Sequence, residues 1–326
     1  MQTDLRGRHL ITLQEWTKEE IDTVLDIAFD LKRRKALGEK HRLLEDKTFY
    51  MLFFENSTRT RNAFETGMTQ LGGHAIFLTP SATQIGHGET AKDTVEVLSR
   101  FGDGLGVRYC TYKQGNAYIR ELAKYSRIPV INMQCDLYHP TQALADIMTI
   151  QEKFGKNTRG LNFTISWTYA PNYIRPLSMP QSLILLMSRF GMNVTLAHPP
   201  EFHLLPEIVE QAKKNAEENG VKFNIVHDMD EACKDAHIIY AKSWGPIAYT
   251  GSREEGLDLI EKYNTWVMDG RRMKLGHKDA IYMHCMPADR GVEVTEEVMD
   301  GPQSVIYDEA ENRLHTIKAL LAATMR

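Results

Sequence analysis

From about residue 47 the chain alternates short apolar runs with amphipathic stretches, the pattern of strands and helices taking turns. KTFYMLFF (47–54) predicts a buried strand, and TRTRNAFETGMTQLGG the helix after it, stopped by Gly72 and Gly73. HAIFL (74–78), GLGVRY (104–109) and PVINM (129–133) predict further strands, with helices over 90–101 and 115–126 between them. Pro140 opens another helix, standing where a backbone N–H would have no helical partner, and that helix runs to near Gly155. A polar stretch, FGKNTRG (154–160), follows. The alternation then restarts, with strands in NFTISW, NVTLAH, KFNIVHD and HIIYAKSW and helices over 180–190, 206–219 and near 230–236. After a less regular segment come strands in IYMHC (281–285) and SVIYDE (304–309), and a last helix over 311–325. Strands alternating with helices imply parallel sheets covered on both faces. The expected fold class is α/β: two doubly wound parallel-sheet domains joined by helices, over 1–150 and 151–310.

Composition narrows the function more than the fold. The 326 residues suffice for two cores, and 42% hydrophobic with 25% charged is ordinary for a globular chain. A net charge of −4 leaves no excess of Lys and Arg to neutralise a nucleic acid, so any cationic site must be local. No apolar run approaches the roughly 18 residues of a membrane span, and MQTDLRGRHL lacks the apolar core of a signal peptide. Cys110, Cys135, Cys233 and Cys285 show no CxxC spacing, so neither a metal site nor a disulfide framework is expected. Free thiols in a reducing cytoplasm are the simpler reading.

In open parallel sheets ligands bind outside the carboxyl ends of the strands, and four polar sites fall there. ENSTRTR (55–61) lies between a buried strand and a helix. Ser57 or Thr58 can cap that helix, and its free amides, with two guanidiniums and the hydroxyls, make a phosphate cradle without a glycine loop. Neither GxxxxGK[ST] nor a strand-linked GxGxxG is present, which disfavours nucleotide and dinucleotide binding, including an NAD-dependent oxidoreductase. At His139-Pro140-Thr141-Gln142, His139 can donate to a carbonyl oxygen and Gln142 can accept from an NH₂ group. His284-Cys285-Met286-Pro287 breaks a strand end at proline and turns backbone carbonyls outward; Cys285 reads as a small hydrophobe rather than a nucleophile. The fourth is DEAENR (308–313), where Arg313 starts the last helix.

Together these motifs resemble the aspartate/ornithine carbamoyltransferase family, from about residue 47 to the end. STRTR (57–61) is similar to its phosphate motif, HPTQ (139–142) to its carbamoyl motif, HCMP (284–287) to the ornithine-type loop and ENR (311–313) to its closing motif. The resemblance implies a carbamoyl-phosphate domain, an acceptor domain, and a last helix (311–326) that packs back on the first. It also implies homotrimers with shared active sites, and neither a metal nor a cofactor. The substrates implied are carbamoyl phosphate and a small amino-acid-like acceptor. Ser57, Thr58, Arg59 and Thr60 would hold the phosphate, Arg108 and His139 the carbonyl oxygen, and Gln142 with the backbone at Cys285 and Met286 the NH₂, with Arg313 close by. SATQIGHGE (81–89) resembles the loop that enters a neighbouring subunit, which would make Gln84 and His87 act in trans.

SWTYAPNYIRPLSMP (166–180) and AKSWG (241–245) resemble the proline-rich knotted loop of a subgroup that includes enzymes acting on N-acetyl- or N-succinylornithine. Where ornithine enzymes carry an acidic Asp-x-Trp, this chain has Lys242-Ser243-Trp244, so Lys242 and Trp244 are the acceptor-reading candidates. A bare cation at Lys242 disfavours free ornithine and favours an acceptor whose non-reacting end is neutral or anionic, the alternative being a Lys242 that turns outward and pairs with a carboxylate. Acetylornithine enzymes carry a lysine near the place of Glu293, which weakens that assignment too. An ornithine carbamoyltransferase proper and a catalytically idle regulatory paralogue stand as alternatives.

Overall fold

The computed structural model describes residues 3–325. The chain forms two compact units, Met1–Met148 with Ala310–Arg326, and Thr149–Glu309. That division falls inside a helix.

The first unit begins with a helix that the periodicity reading omitted, α1 (Lys18–Ala36), closed at its start by a capping box between Thr17 and Glu20. Its buried residues Ile21, Val24, Leu25, Ala28 and Leu31 recur at helical spacing. Four parallel strands follow: β1 (Thr48–Phe53), β2 (His74–Leu78), β3 (Gly104–Tyr109) and β4 (Val130–Cys135), in the order β2-β1-β3-β4. The connecting helices are α2 (Thr58–Gln70), α3 (Ala91–Leu98) and α4 (Gly115–Tyr125), and α5 (Pro140–Phe154) leads into the second unit. Gly72 ends the α2 turn at φ +86°, a conformation that favours glycine. The segment before α1 adds itself beside β4, Leu10 N–H donating to Val130 O and Leu10 O accepting from Asn132 N–H. The β3–β4 register slips between Val107 and Arg108, a bulge at one of the candidate site residues.

The second unit holds β5 (Asn162–Ser166), β6 (Asn193–Ala197), β7 (Phe223–Val226), β8 (Ile238–Ala241) and β9 (Ile281–Met283), all parallel, in the order β7-β6-β5-β8-β9. Helices α6 (Ser178–Arg189), α7 (Pro206–Glu218) and α8 (Met229–Cys233) link the first four strands, and the less regular segment carries α9 (Arg253–Glu261) and α10 (Gly270–Met273). The order reverses between β5 and β8, where ligands of such sheets collect. There the segment 166–180 packs tightly on 241–245: Trp167 Nε1–H donates to Trp244 O at 2.8 Å and Gly245 N–H to Arg175 O at 2.9 Å. A Cβ on Gly245 would sit 1.8 Å from Tyr173 O, so only glycine fits.

One expected strand is absent. After α11 (Glu296–Met299), residues 304–309 form no strand: Ser304 makes an isolated bridge to Tyr282, and α12 (Ile306–Thr324) has already begun. A short apolar run looks the same in a strand and in a buried helical turn. Asp308 and Glu309 suit the first turn of a helix, and buried Glu309 is used there as an acceptor for Tyr240 OH (3.2 Å) and His284 N–H (2.9 Å). From Ala310 onward α12 belongs to the first unit.

Candidate active site

In the first unit the candidate residues converge. Ser57 is the cap of α2, its Oγ accepting from Thr60 N–H at 3.2 Å, which leaves Thr58 exposed on the first turn and Arg59 half-buried beside it. Arg61 turns away, stacking over the Phe77 ring at 3.8 Å. Arg313, 2% exposed, reaches from α12 to both neighbouring elements: Nη1 donates to Gln142 Oε1 at 2.5 Å and Nη2 to Thr60 Oγ1 at 3.1 Å. Gln142 is locked at its other end, Nε2 donating to Asp146 Oδ1 at 2.9 Å. Its carbonyl oxygen, expected to meet a substrate NH₂, therefore already holds a guanidinium proton.

His139 is buried beside Arg313, Arg108 and Arg59, and burial together with those three cations holds its imidazole well below the usual range. A neutral ring with one N–H is the result, a hydrogen-bond donor that adds no further charge. Among the described residues the buried Arg108 Nε has no hydrogen-bond partner, a donor left over for a ligand. Glu55, which sequence reasoning passed over, sits by Arg108 and accepts from Cys110 N–H at 2.9 Å; burial pushes its carboxyl up against the pull of that guanidinium. Its place at the head of ENSTRTR was the available signal.

In the second unit the bare cation expected at Lys242 is corrected. Lys242 is buried and its Nζ donates to Glu293 Oε1 at 3.3 Å. The same oxygen accepts from Ser243 N–H (2.9 Å) and Ser243 OH (2.5 Å). Glu293 Oε2 accepts from Asp289 N–H at 2.7 Å and from Arg175 Nη1 at 3.4 Å, and Arg175 Nη2 also donates to Asp289. Glu293 is wholly buried; burial alone would raise its carboxyl, but Lys242, His284 and Arg175 hold it well below the carboxylate range. His284 accepts from Met286 N–H at Nδ1 (2.8 Å), so the proton is on Nε2, which faces Glu293 Oε1 at 3.7 Å. Burial keeps that imidazole neutral. Lys242 and Arg175 against Glu293 and Asp289 make two cations and two carboxylates, a balanced set. The sequence showed a lysine; the carboxylate some fifty residues away could not be paired with it by spacing.

The remaining candidates stand apart. Trp244 is 1% exposed and its Nε1–H donates to Phe202 O at 3.1 Å, which commits the ring to packing. Cys285 is half-buried, and Met286 takes φ +50°, an unfavourable conformation for a long side chain that is concentrated at functional sites. Gln84 and His87 lie exposed on a short turn of helix (Gln84–His87) after β2.

Residues 8–152 match the family described as "Aspartate/ornithine carbamoyltransferase, carbamoyl-P binding domain", and residues 177–324 its "Asp/Orn binding domain". The match begins well before residue 47 and so includes α1. The ornithine carbamoyltransferase of Thermococcus kodakarensis is 39% identical over 325 residues, 100% of this chain and 98% of the relative; that of Pyrococcus abyssi is 40% identical, over 99% and 97%. Among solved structures, ornithine carbamoyltransferase from Pyrococcus furiosus superposes with a TM-score of 0.90 at 39% identity, covering 99% of this chain and 98% of the other. An acetylornithine transcarbamylase complexed with acetylcitrulline gives 0.91 at 34%, covering 98% and 99%. With both domains matched and full-length relatives near 40% identity, the chain belongs to the aspartate/ornithine carbamoyltransferase family and is a carbamoyltransferase.

Proposed function

We propose that the chain moves the carbamoyl group of carbamoyl phosphate to an amino group of ornithine or an ornithine-like amino acid, with the first unit as donor site. The observation that carries this reading is the buried array of Arg313, Gln142, Thr60 and neutral His139, with Arg59 and Arg108 beside it. Ser57, Thr58, Arg59 and Thr60 hold the phosphate at the start of α2. Arg108, through its unused Nε–H, and His139 take the carbonyl oxygen. Gln142 takes the NH₂. A neutral amine attacks the carbonyl carbon, the carbonyl oxygen gains charge, the C–O bond to phosphate breaks, and the leaving phosphate accepts the amine proton. Each donor aimed at the developing charge is worth about 10²–10³ in rate, and holding both reactants in line supplies up to roughly 7–11 kcal/mol more.

The acceptor is read in the second unit by Lys242, held by Glu293. An acylated or carboxylated far end would take hydrogen bonds from Lys242 and Arg175. A second reading, free ornithine, is supported by the balanced charge of that set, which removes the repulsion an isolated lysine would exert on an α-ammonium, and by the names of the 39–41% relatives. Steady-state kinetics on ornithine, N-acetylornithine, N-succinylornithine and aspartate, with native enzyme and Lys242→Gln, separates the two. If Lys242 reads an acyl or carboxylate group, the variant loses that substrate selectively; an unchanged ranking removes Lys242 from acceptor recognition. Turnover that does not depend on carbamoyl phosphate would refute the reaction itself.

We further infer a homotrimer working in the cytoplasm. Exposure of Gln84 and His87 on a loop resembling the one that enters a neighbour supports the shared site, and four free cysteines suit a reducing compartment.

A further inference from the structure

The second unit carries a cavity that none of the residues above line. It lies at the carboxyl ends of β6 and β7, with Tyr249 contributed by the loop after β8, and has a volume of about 430 Å³, in the range of small-ligand sites. Its base is His198, the residue just after β6, 2% exposed. His198 Nδ1–H donates to Pro199 O at 2.7 Å, which places the proton there and leaves Nε2 as an acceptor. Among the described residues Nε2 has no partner, although the side chain is almost wholly buried and lines the cavity. Burial, with His227 and His203 close by, pushes the imidazole down to about 4, so the lone pair is available at neutral pH. Tyr249 OH donates to Leu204 O at 2.7 Å, which sets one wall, and its ring meets the edge of His203 at 5.5 Å.

The opposite wall is one stripe of α7. Pro206, Val209, Glu210 and Lys213 follow at helical spacing, so an apolar patch is followed by a carboxylate and, one turn on, an ammonium. Both charges are exposed, and among the described residues neither makes an ion pair, although i,i+3 spacing allows one. An apolar body, opposite charges at the mouth and an acceptor at the base match one kind of small molecule.

We propose that this cavity binds a free α-amino acid whose side chain ends in an N–H donor, as an effector site distinct from the acceptor site. The α-ammonium pairs with Glu210, the α-carboxylate with Lys213, the aliphatic stem lies on Leu204, Val209 and Ile225, and the terminal N–H donates to His198 Nε2.

The test is calorimetric titration of the full-length enzyme with L-arginine and L-glutamine, and with agmatine and Nα-acetyl-L-arginine, which lack the carboxylate and the ammonium. At least one amino acid binds saturably, one per chain, and the clipped analogues bind at least about tenfold more weakly, the loss expected for one charge-assisted hydrogen bond. Lys213→Glu, on an exposed helix face where folding is safe, weakens binding to the same degree; Glu210→Lys combined with Lys213→Glu restores part of it; His198→Leu weakens it through the base. Lys242→Gln leaves it unchanged. No saturable heat at millimolar ligand, equal binding of the clipped analogues, or indifference to Lys213→Glu overturns the proposal. So does loss of binding in Lys242→Gln, which would assign the heat to the acceptor site.

Discussion

Replacing Glu293 by Gln removes one charge and one acceptor at a point where five donors converge. Oε1 serves Lys242 Nζ, Ser243 N–H and Ser243 OH; Oε2 serves Asp289 N–H and Arg175 Nη1. A glutamine keeps one oxygen for the first group and turns an NH₂ toward the second, where two donors then face a donor. Lys242 and Arg175 lose a buried counter-charge at the same time. Breaking a buried ion pair by removing one partner costs about 3–5 kcal/mol. For a unit of this size 1 kcal/mol shifts the midpoint by about 2–4 °C, so the acceptor-unit transition in calorimetry should fall by roughly 6–20 °C at pH 7. The pH dependence gives a second check. Because the folded carboxyl lies below its ordinary value of 4.5, its contribution is fully present above that pH and is lost as pH falls toward the folded value. The gap between native and Glu293→Gln should therefore be constant from neutral pH to about 5 and narrow below it. A variant within about 1 kcal/mol of native at pH 7, or a gap that widens on acidification, would refute the argument that buried Glu293 is ionised and paired.

Two further outcomes concern catalysis. Arg59→Ala or His139→Ala should lower kcat by at least about 100-fold in a carbamoyl-phosphate-dependent assay, with thermal midpoints changed far less than in Glu293→Gln; near-normal turnover would remove that residue from the mechanism. If Gln84 completes a neighbour's site, mixing Gln84→Ala chains with Arg59→Ala chains should recover activity as subunits exchange, since some sites then carry neither lesion, and no recovery despite exchange would place the loop in its own chain's site.

The strands of both sheets were legible because parallel strands are apolar on both faces and punctuated by glycine, proline and caps; HAIFL and GLGVRY fall on β2 and β3 residue for residue. The motifs proposed for the donor site were legible for a related reason. Ser57 through Thr60 are consecutive, and His139 and Gln142 are one turn apart, so local geometry alone brings each set to one place. The run 304–309 misled because burial, not backbone type, made it apolar, and α1 was passed over because its apolar stripe is diluted by charge on the outer faces.

By itself, then, the sequence determined the two α/β halves, the family and the short motifs proposed to hold phosphate and carbonyl. All of these depend on residues near one another in the chain. What only the tertiary structure decided were the partnerships across long separations. Arg313 meets Gln142 171 residues away, Lys242 meets Glu293 51 residues away, and His198 is left at the base of a cavity whose other wall is α7. Charge and hydrogen bonding act through space at a few ångströms, and sequence spacing carries no record of which distant carboxylate a buried cation will find.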